Sequence, residues 1–141
     1  MKLTKKDYAL IEEATKIVKA NSDMYDNLAM HVGCALRARS GKIYKGVNLK
    51  TSHSVCAEQI ALGQAYACGE REFDAIVSVK MDEKGGTRVV SPCGVCRYVF
   101  DKYALDLNVI VEDVSNGNVL KVKASKLLPY PYKRNGKKML N

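Results

Sequence analysis

The 141-residue sequence predicts an α/β domain, with helices layered on a mixed sheet. Three observations carry this. Residues 5–20 place Tyr8, Ile11, Ala14 and Ile17 or Val18 at the spacing of an amphipathic helix. The run DAIVSVKM is rich in β-branched residues and suits a central strand. The patterns then alternate as helix, hairpin, helix, strand, helix, strands, the order of a layered fold.

After the first helix, VGCALRAR (following His31) and KIYKGVNL read as two strands joined at Ser40-Gly41. Residues 55–68 form a mostly apolar helix, with Gly69 as its stop. DEKGG is a turn, and TRVV a short strand leading into SPCGVCR. CRYVFDKYA is helical, LNVIVED extended, NGN a tight turn, and VLKVKA a last short strand. A final turn near Ser125–Leu128 ends at Pro129. No repeat or low-complexity stretch interrupts the chain. The length fits one domain, residues 1–132, followed by a basic tail, 133–141 (KRNGKKMLN), with the composition of a flexible segment.

The start, MKLTKKDYALIEEATKIVKA, mixes charges through its apolar residues, unlike the apolar core of a secretory signal. No run is long enough to span a membrane, and a cytoplasmic protein is expected. Five cysteines, an odd number, argue against a disulfide framework and towards metal or redox chemistry. The net charge of +8 is concentrated at the C-terminal end. From Lys121 onward there are seven basic residues and no acid, leaving 16 basic and 15 acidic residues before it. Such an end reads as a solvated tail, a subunit contact or an attractor of anions.

The chemistry concentrates in two stretches, SHSVCAEQ and SPCGVCR. Ser91 is a suitable N-cap with Pro92 at the first helical position, and Cys56 has a matching location near a helix start if Ser54 caps the helix over 55–68. Cys93 and Cys96 are three apart and share one helical face. Helix starts favour thiolates, and three thiolates at two helix starts form a cage for a soft tetrahedral ion, zinc above all. Three protein ligands leave a fourth position for water, the mark of a catalytic rather than a closed site. At a helix start side chains lean towards the N-terminus, so Glu58 approaches the same ion as Cys56. A carboxylate beside zinc-activated water takes its proton and returns it to a leaving group, as in a hydrolytic deaminase. Zinc with three thiolates carries a net charge of −1, and Arg97, directly after the last cysteine, is placed to offset it.

Other readings of these residues exist. CGVC resembles a redox dithiol but leaves Cys56 and Glu58 idle. A closed zinc site would need Cys34, Cys68, His31 or His53 as a fourth ligand. Cys34, in a strand pattern, and Cys68, on a helix, read more simply as small core residues. His53 reads as a surface loop residue within reach of substrate, and His31 carries no assigned chemistry.

C-A-E followed by P-C-x-x-C resembles the signature of the zinc-dependent cytidine deaminase superfamily in its three-cysteine form. The similarity runs over nearly the whole chain, through HVGCAL, GKIYKGVNL, VCAEQIALGQA, SPCGVCR and LLPYPY. The SPCGVCR context, FDAIVSV and the Leu-Pro-x-x-Tyr ending are most similar to the blasticidin S deaminase type. The resemblance implies a three-layer α-β-α fold with a five-stranded mixed sheet. It implies one Zn²⁺ per chain on Cys56, Cys93 and Cys96, with Glu58 as proton shuttle in the deamination of a free cytosine nucleoside at C4. Backbone groups at Ala57 and Cys93 and the Ser91–Pro92 turn would hold the base and leaving group. Asn48 would contact the sugar, and Tyr132 of the ending is counted with the substrate contacts. A homotetramer with active sites near subunit interfaces is implied as well.

The chain departs from ordinary cytidine deaminases at several points. Lys50 stands where they carry a glutamate that accepts a sugar hydroxyl, and a cation cannot accept that bond. Lys50 would instead suit an anionic group on the sugar, or point to solvent. The approach from Asn48 to Cys56 is shorter. Met30 stands where an aromatic commonly covers the base, and Gln59 where many members have an arginine, leaving Arg97 as the main nearby cation. The rival expectations are a nucleic-acid-binding or editing deaminase using the basic end, and a catalytically silent zinc domain. Apart from PYPYKR, nothing in the sequence supplies aromatic and basic residues interleaved along a groove, so nucleic acid is disfavoured as a partner.

Overall fold

The structure is a computed structural model that describes residues 1–22 and 31–133. Helix α1 spans Lys5–Ser22. Strands β1 (Val32–Ala38) and β2 (Ile43–Val47) form the expected hairpin, with Gly41 at φ 92° in its turn. Helix α2 (Ala57–Ala67) follows, then β3 (Phe73–Met81), β4 (Thr87–Val90), helix α3 (Gly94–Tyr103), β5 (Asn108–Glu112) and β6 (Val119–Lys123). A 3₁₀ turn at Ala124–Lys126 closes the core before Pro129.

The sheet runs β2-β1-β3-β5-β6, with β4 also paired to β3. Six strands therefore replace the five expected. The difference lies at the central strand. One edge of β3 pairs antiparallel with β1 along its length; the other is divided. Its first half, Ala75–Val77, takes β5 in parallel, and its second half, Ser78–Met81, takes β4 antiparallel. TRVV thus takes the part of the edge that β5 leaves unpaired after Ile110.

Strand alternation sorts the core into two layers. Ala35, Ala75, Val77, Val79 and Ile110 face α1, whereas Cys34, Leu36, Ile76 and Val109 face α2 and α3. The three-layer α-β-α arrangement is therefore present. The stripe α1 buries is Asp7, Leu10, Ala14 and Val18, and Tyr8 is 59% exposed, contrary to the sequence reading. Asp7 displaces the tyrosine because it is paired: Arg37 and Lys121 contact its carboxylate at 2.9 and 2.6 Å. A buried acid is tolerated only when satisfied in this way.

Both helix starts lie two residues later than the serine caps predict. The N-caps are the cysteines themselves, Cys56 and Cys93. Ser54 is spent within its own loop, donating to the Thr51 carbonyl at 2.8 Å, and Ser91 donates to the Glu112 carbonyl at 3.2 Å. α2 lies so close to β2 that a Cβ on Gly46 would meet the Ala57 carbonyl oxygen at 2.3 Å. That contact sets the height of the α2 N-terminus over the sheet. No helix among the described residues is long and apolar enough to cross a membrane.

Candidate metal centre and active site

The starts of α2 and α3 bring Cys56, Cys93 and Cys96 together, with their sulfurs all within 4.8 Å of one another. Cys56 Sγ and Cys93 Sγ are 3.5 Å apart. Three sulfurs about 2.3 Å from a tetrahedral zinc would be separated by about 3.8 Å, so the spacing fits that ion. The donor set fits it as well, since thiolate sulfur favours zinc over the hard cations. Cys93 is exposed, Cys56 partly so, and Cys96 buried, which leaves one side of the cluster open. Burial opposes ionisation of Cys93, but the backbone amides of Cys96 and Val95 and the Cys56 thiol outweigh it, holding its pKa below the ordinary thiol value. Cys56 is pushed up by burial and by Cys93, and Cys96 far up, chiefly by burial and by the charge of Glu58. A bound dication would reverse those two shifts, because it favours every thiolate at once.

Glu58 is the second residue of α2 and 6% exposed. Burial raises its pKa above the ordinary carboxylate value; its own backbone amide, Ser78 and Cys96 pull in the other direction. Gln59 donates from Nε2 to Cys96 Sγ at 3.7 Å. Arg97 makes its hydrogen bonds to carbonyls, from Nε to Pro92 at 2.9 Å and from Nη1 to Leu127 at 3.4 Å. It therefore ties the SPC turn to the LLPYPY segment. Ala57 and Pro92 are buried and Ser91 partly so, all beside the cysteines in the chain.

The approach segment is tightened by a backbone bridge, Leu49 to Val55, with both hydrogen bonds at 3.0 Å. Asn48 Oδ1 accepts the amides of His31 and Val32 at 3.2 and 3.0 Å, fixing this segment to the start of β1. Lys50 is exposed. His31 has a buried Nδ1 with no hydrogen-bond partner, and burial, Lys80 and Lys50 depress its pKa. His53 is exposed in the loop, its Nδ1 3.2 Å from Ser52 Oγ. Cys34 is buried as expected, but Cys68, at the C-cap of α2, is exposed rather than in the core. Tyr132 is 70% exposed, and its carbonyl accepts Lys102 Nζ at 3.1 Å. Met30 lies outside the described residues, as do residues 134–141 of the tail; Lys133 pairs with Asp101.

Two contacts of the site went unassigned in the sequence. One is the Gln59 amide on Cys96, hidden because glutamine is common on helices. The other is Ser78 beside Glu58. Its signal was visible: Ser78 is the lone hydroxyl among the apolar residues of AIVSV.

A sulfur cage with an open side and a buried carboxylate next to it, set on a three-layer sheet, defines a zinc-dependent hydrolytic class. Residues 4–112 match the family model described as the cytidine and deoxycytidylate deaminase zinc-binding region, and the chain belongs to that family. It is 37% identical over 140 residues to a blasticidin-S deaminase of Bacillus cereus, covering 94% of this chain and 96% of that one. It is 37% identical over 101 residues to a cytidine deaminase of Sporosarcina psychrophila, covering 70% of this chain and 71% of the relative. Among solved structures, cytidine deaminase from Burkholderia pseudomallei superposes with a TM-score of 0.68 at 32% identity, covering 92% of this chain and all of that one. The Bacillus anthracis cytidine deaminase, at 19% identity and a TM-score of 0.72, shares the fold.

Proposed function

We propose that the chain is a zinc-dependent aminohydrolase of a free cytosine nucleoside, and that a blasticidin S-type compound is its leading substrate. The observation that carries this is the juxtaposition of three sulfurs with the buried Glu58 at two helix starts. The near full-length similarity to a blasticidin-S deaminase supports the substrate.

Cys56, Cys93 and Cys96 would hold the zinc, which supplies Lewis acidity to activate water near neutral pH. Glu58 then acts as proton carrier. A carboxylate held at a raised pKa in a dry environment both accepts the proton of the attacking water and returns it to the departing amine. C4 of the ring gains an oxygen and loses ammonia, leaving a uracil ring. The turn at Ser91–Pro92 and the backbone at Ala57 and Cys93 line the place where base and leaving group sit. Arg97, held by two carbonyls at the first turn of α3, offsets part of the thiolate charge.

The sugar side is the specific part. Asn48 anchors the approach, and Tyr132 contributes from the C-terminal segment. Lys50 and Lys80 both act on His31, which gives this rim a positive field. A nucleoside with a carboxylate on its sugar suits that field better than plain cytidine. Leu49 and Val95, next in the chain to Lys50 and the cysteines, are 47% and 61% exposed. Apolar groups of this kind beside the site suit a subunit contact, and we assign the chain to a homotetramer.

Ammonia release from cytidine, deoxycytidine, CMP and blasticidin S by purified, zinc-loaded protein tests the reading. Turnover of blasticidin S above the others is expected. No turnover of any of the four would overturn it.

A further inference from the structure

Ser78 sits at the middle of β3, paired across the sheet with Cys34 on β1 and with Val90 on β4. It faces the α2–α3 layer and is 3% exposed. Its hydroxyl is buried and closes no hydrogen bond of good geometry. Such a group is destabilising unless something uses it. Ser78 and Glu58 line one narrow cleft with Ile76, Val90, Pro92 and Phe100, which leaves no room for a water molecule. Water therefore cannot satisfy the hydroxyl, and its remaining neighbours are the Glu58 carboxylate and the Cys34 thiol. A thiol is a weak partner, whereas a carboxylate is the strongest acceptor within the cleft.

We propose that Ser78 is a positioning residue for deamination: it donates its hydroxyl to the Glu58 carboxylate from the sheet side and holds that carboxylate facing the sulfur cage. The proposal rests on the reading of Glu58 as proton carrier. The cleft behind Glu58 is closed by apolar side chains, so Ser78 is the side-chain hydroxyl lining it and gives the buried carboxylate a fixed back contact. A small rotation of either side chain closes the bond. The carboxylate is then spared the search among rotamers each time it moves a proton, an effect felt in kcat and not in substrate binding. Ser78 touches neither substrate nor metal.

The test is Ser78→Ala beside Ser78→Thr and Glu58→Gln, each zinc-loaded and assayed with the best substrate. Ser78→Ala should lower kcat about tenfold, the worth of one hydrogen bond to a charged group. KM should stay within about twofold, and zinc content and resistance to chelator should match wild type. Ser78→Thr keeps the hydroxyl and should recover most of the rate; if its extra methyl prevents folding, the kcat-against-KM split of Ser78→Ala decides alone. A wild-type kcat in Ser78→Ala overturns the proposal, as does a loss that tracks lost zinc or lost fold. Glu58→Gln separates the two readings. If it stays active, the proton-carrier role has failed; if it is dead while Ser78→Ala is unimpaired, only the role of Ser78 has failed.

Discussion

Lys50 carries the sharpest question at the scale of single residues. It is exposed, one residue beyond a backbone-bridged leucine, and its charge reaches His31 together with that of Lys80. If this rim meets an anion, Lys50→Glu should raise KM for blasticidin S and CMP by about tenfold and leave cytidine unchanged or improved, a shift typical of one exchanged charge contact. Equal effects on all substrates in a spectrophotometric assay would remove Lys50 from recognition. The residues of the metal centre were legible because their chemistry is in their identity and spacing: Cys93 and Cys96 occupy the N-cap and third positions of one helix start, and Cys56 the N-cap of another. Ser78 and Gln59 stand out by type or position, but their contacts were not legible, because those depend on which strand and helix face each other. Tyr8 misled the reading for a related reason. Hydrophobicity ranks it above Asp7, but two cations brought from β1 and β6 make Asp7 the better core residue.

The elements are joined by that same acid. Asp7 on α1 binds Arg37 of β1 and Lys121 of β6, while Arg37 also reaches Asp74 of β3 at 2.7 Å. One buried carboxylate thus ties the helix on the far side of the sheet to an inner strand and an edge strand. Burial would raise its pKa, but Lys121, the Thr4 amide and Arg37 outweigh it and hold it well below the ordinary carboxylate value. The sign follows directly. A depressed folded-state pKa gives stability that is fully present above the unfolded value, near pH 4, and is lost as the pH falls below it. Thermal unfolding should therefore show a steep loss of stability on the acid side. Asp7→Asn should flatten that limb and cost about 3 kcal/mol at neutral pH, the usual penalty for breaking a buried charge pair. An unchanged acid limb in the variant would mean the network is not the cause. Element order was legible from periodicity and turn residues. All six strand patterns were legible, TRVV among them; the sharing of one edge of β3 between β4 and β5 was not, since pairing partners are fixed only by the folded arrangement.

At the scale of the whole molecule, the net positive charge is partly spent inside the fold. Of the seven basic residues from Lys121 onward, Lys121 pairs with Asp7, Lys123 donates to the Asp106 carbonyl, and Lys133 pairs with Asp101. Part of what the sequence shows as a basic end is therefore a set of clasps over α1 and α3. The proposed assembly predicts four chains of 15.6 kDa, about 62 kDa by light scattering; a monomer at micromolar concentration would contradict it. The central claim is that three sulfurs hold zinc while Glu58 moves the proton. Its most direct test is one preparation of Glu58→Gln, measured for metal content and for ammonia release. The account predicts about one zinc per chain, as in wild type, with the rate down by at least about a hundredfold. A variant that keeps its zinc and still releases ammonia at the wild-type rate would contradict it.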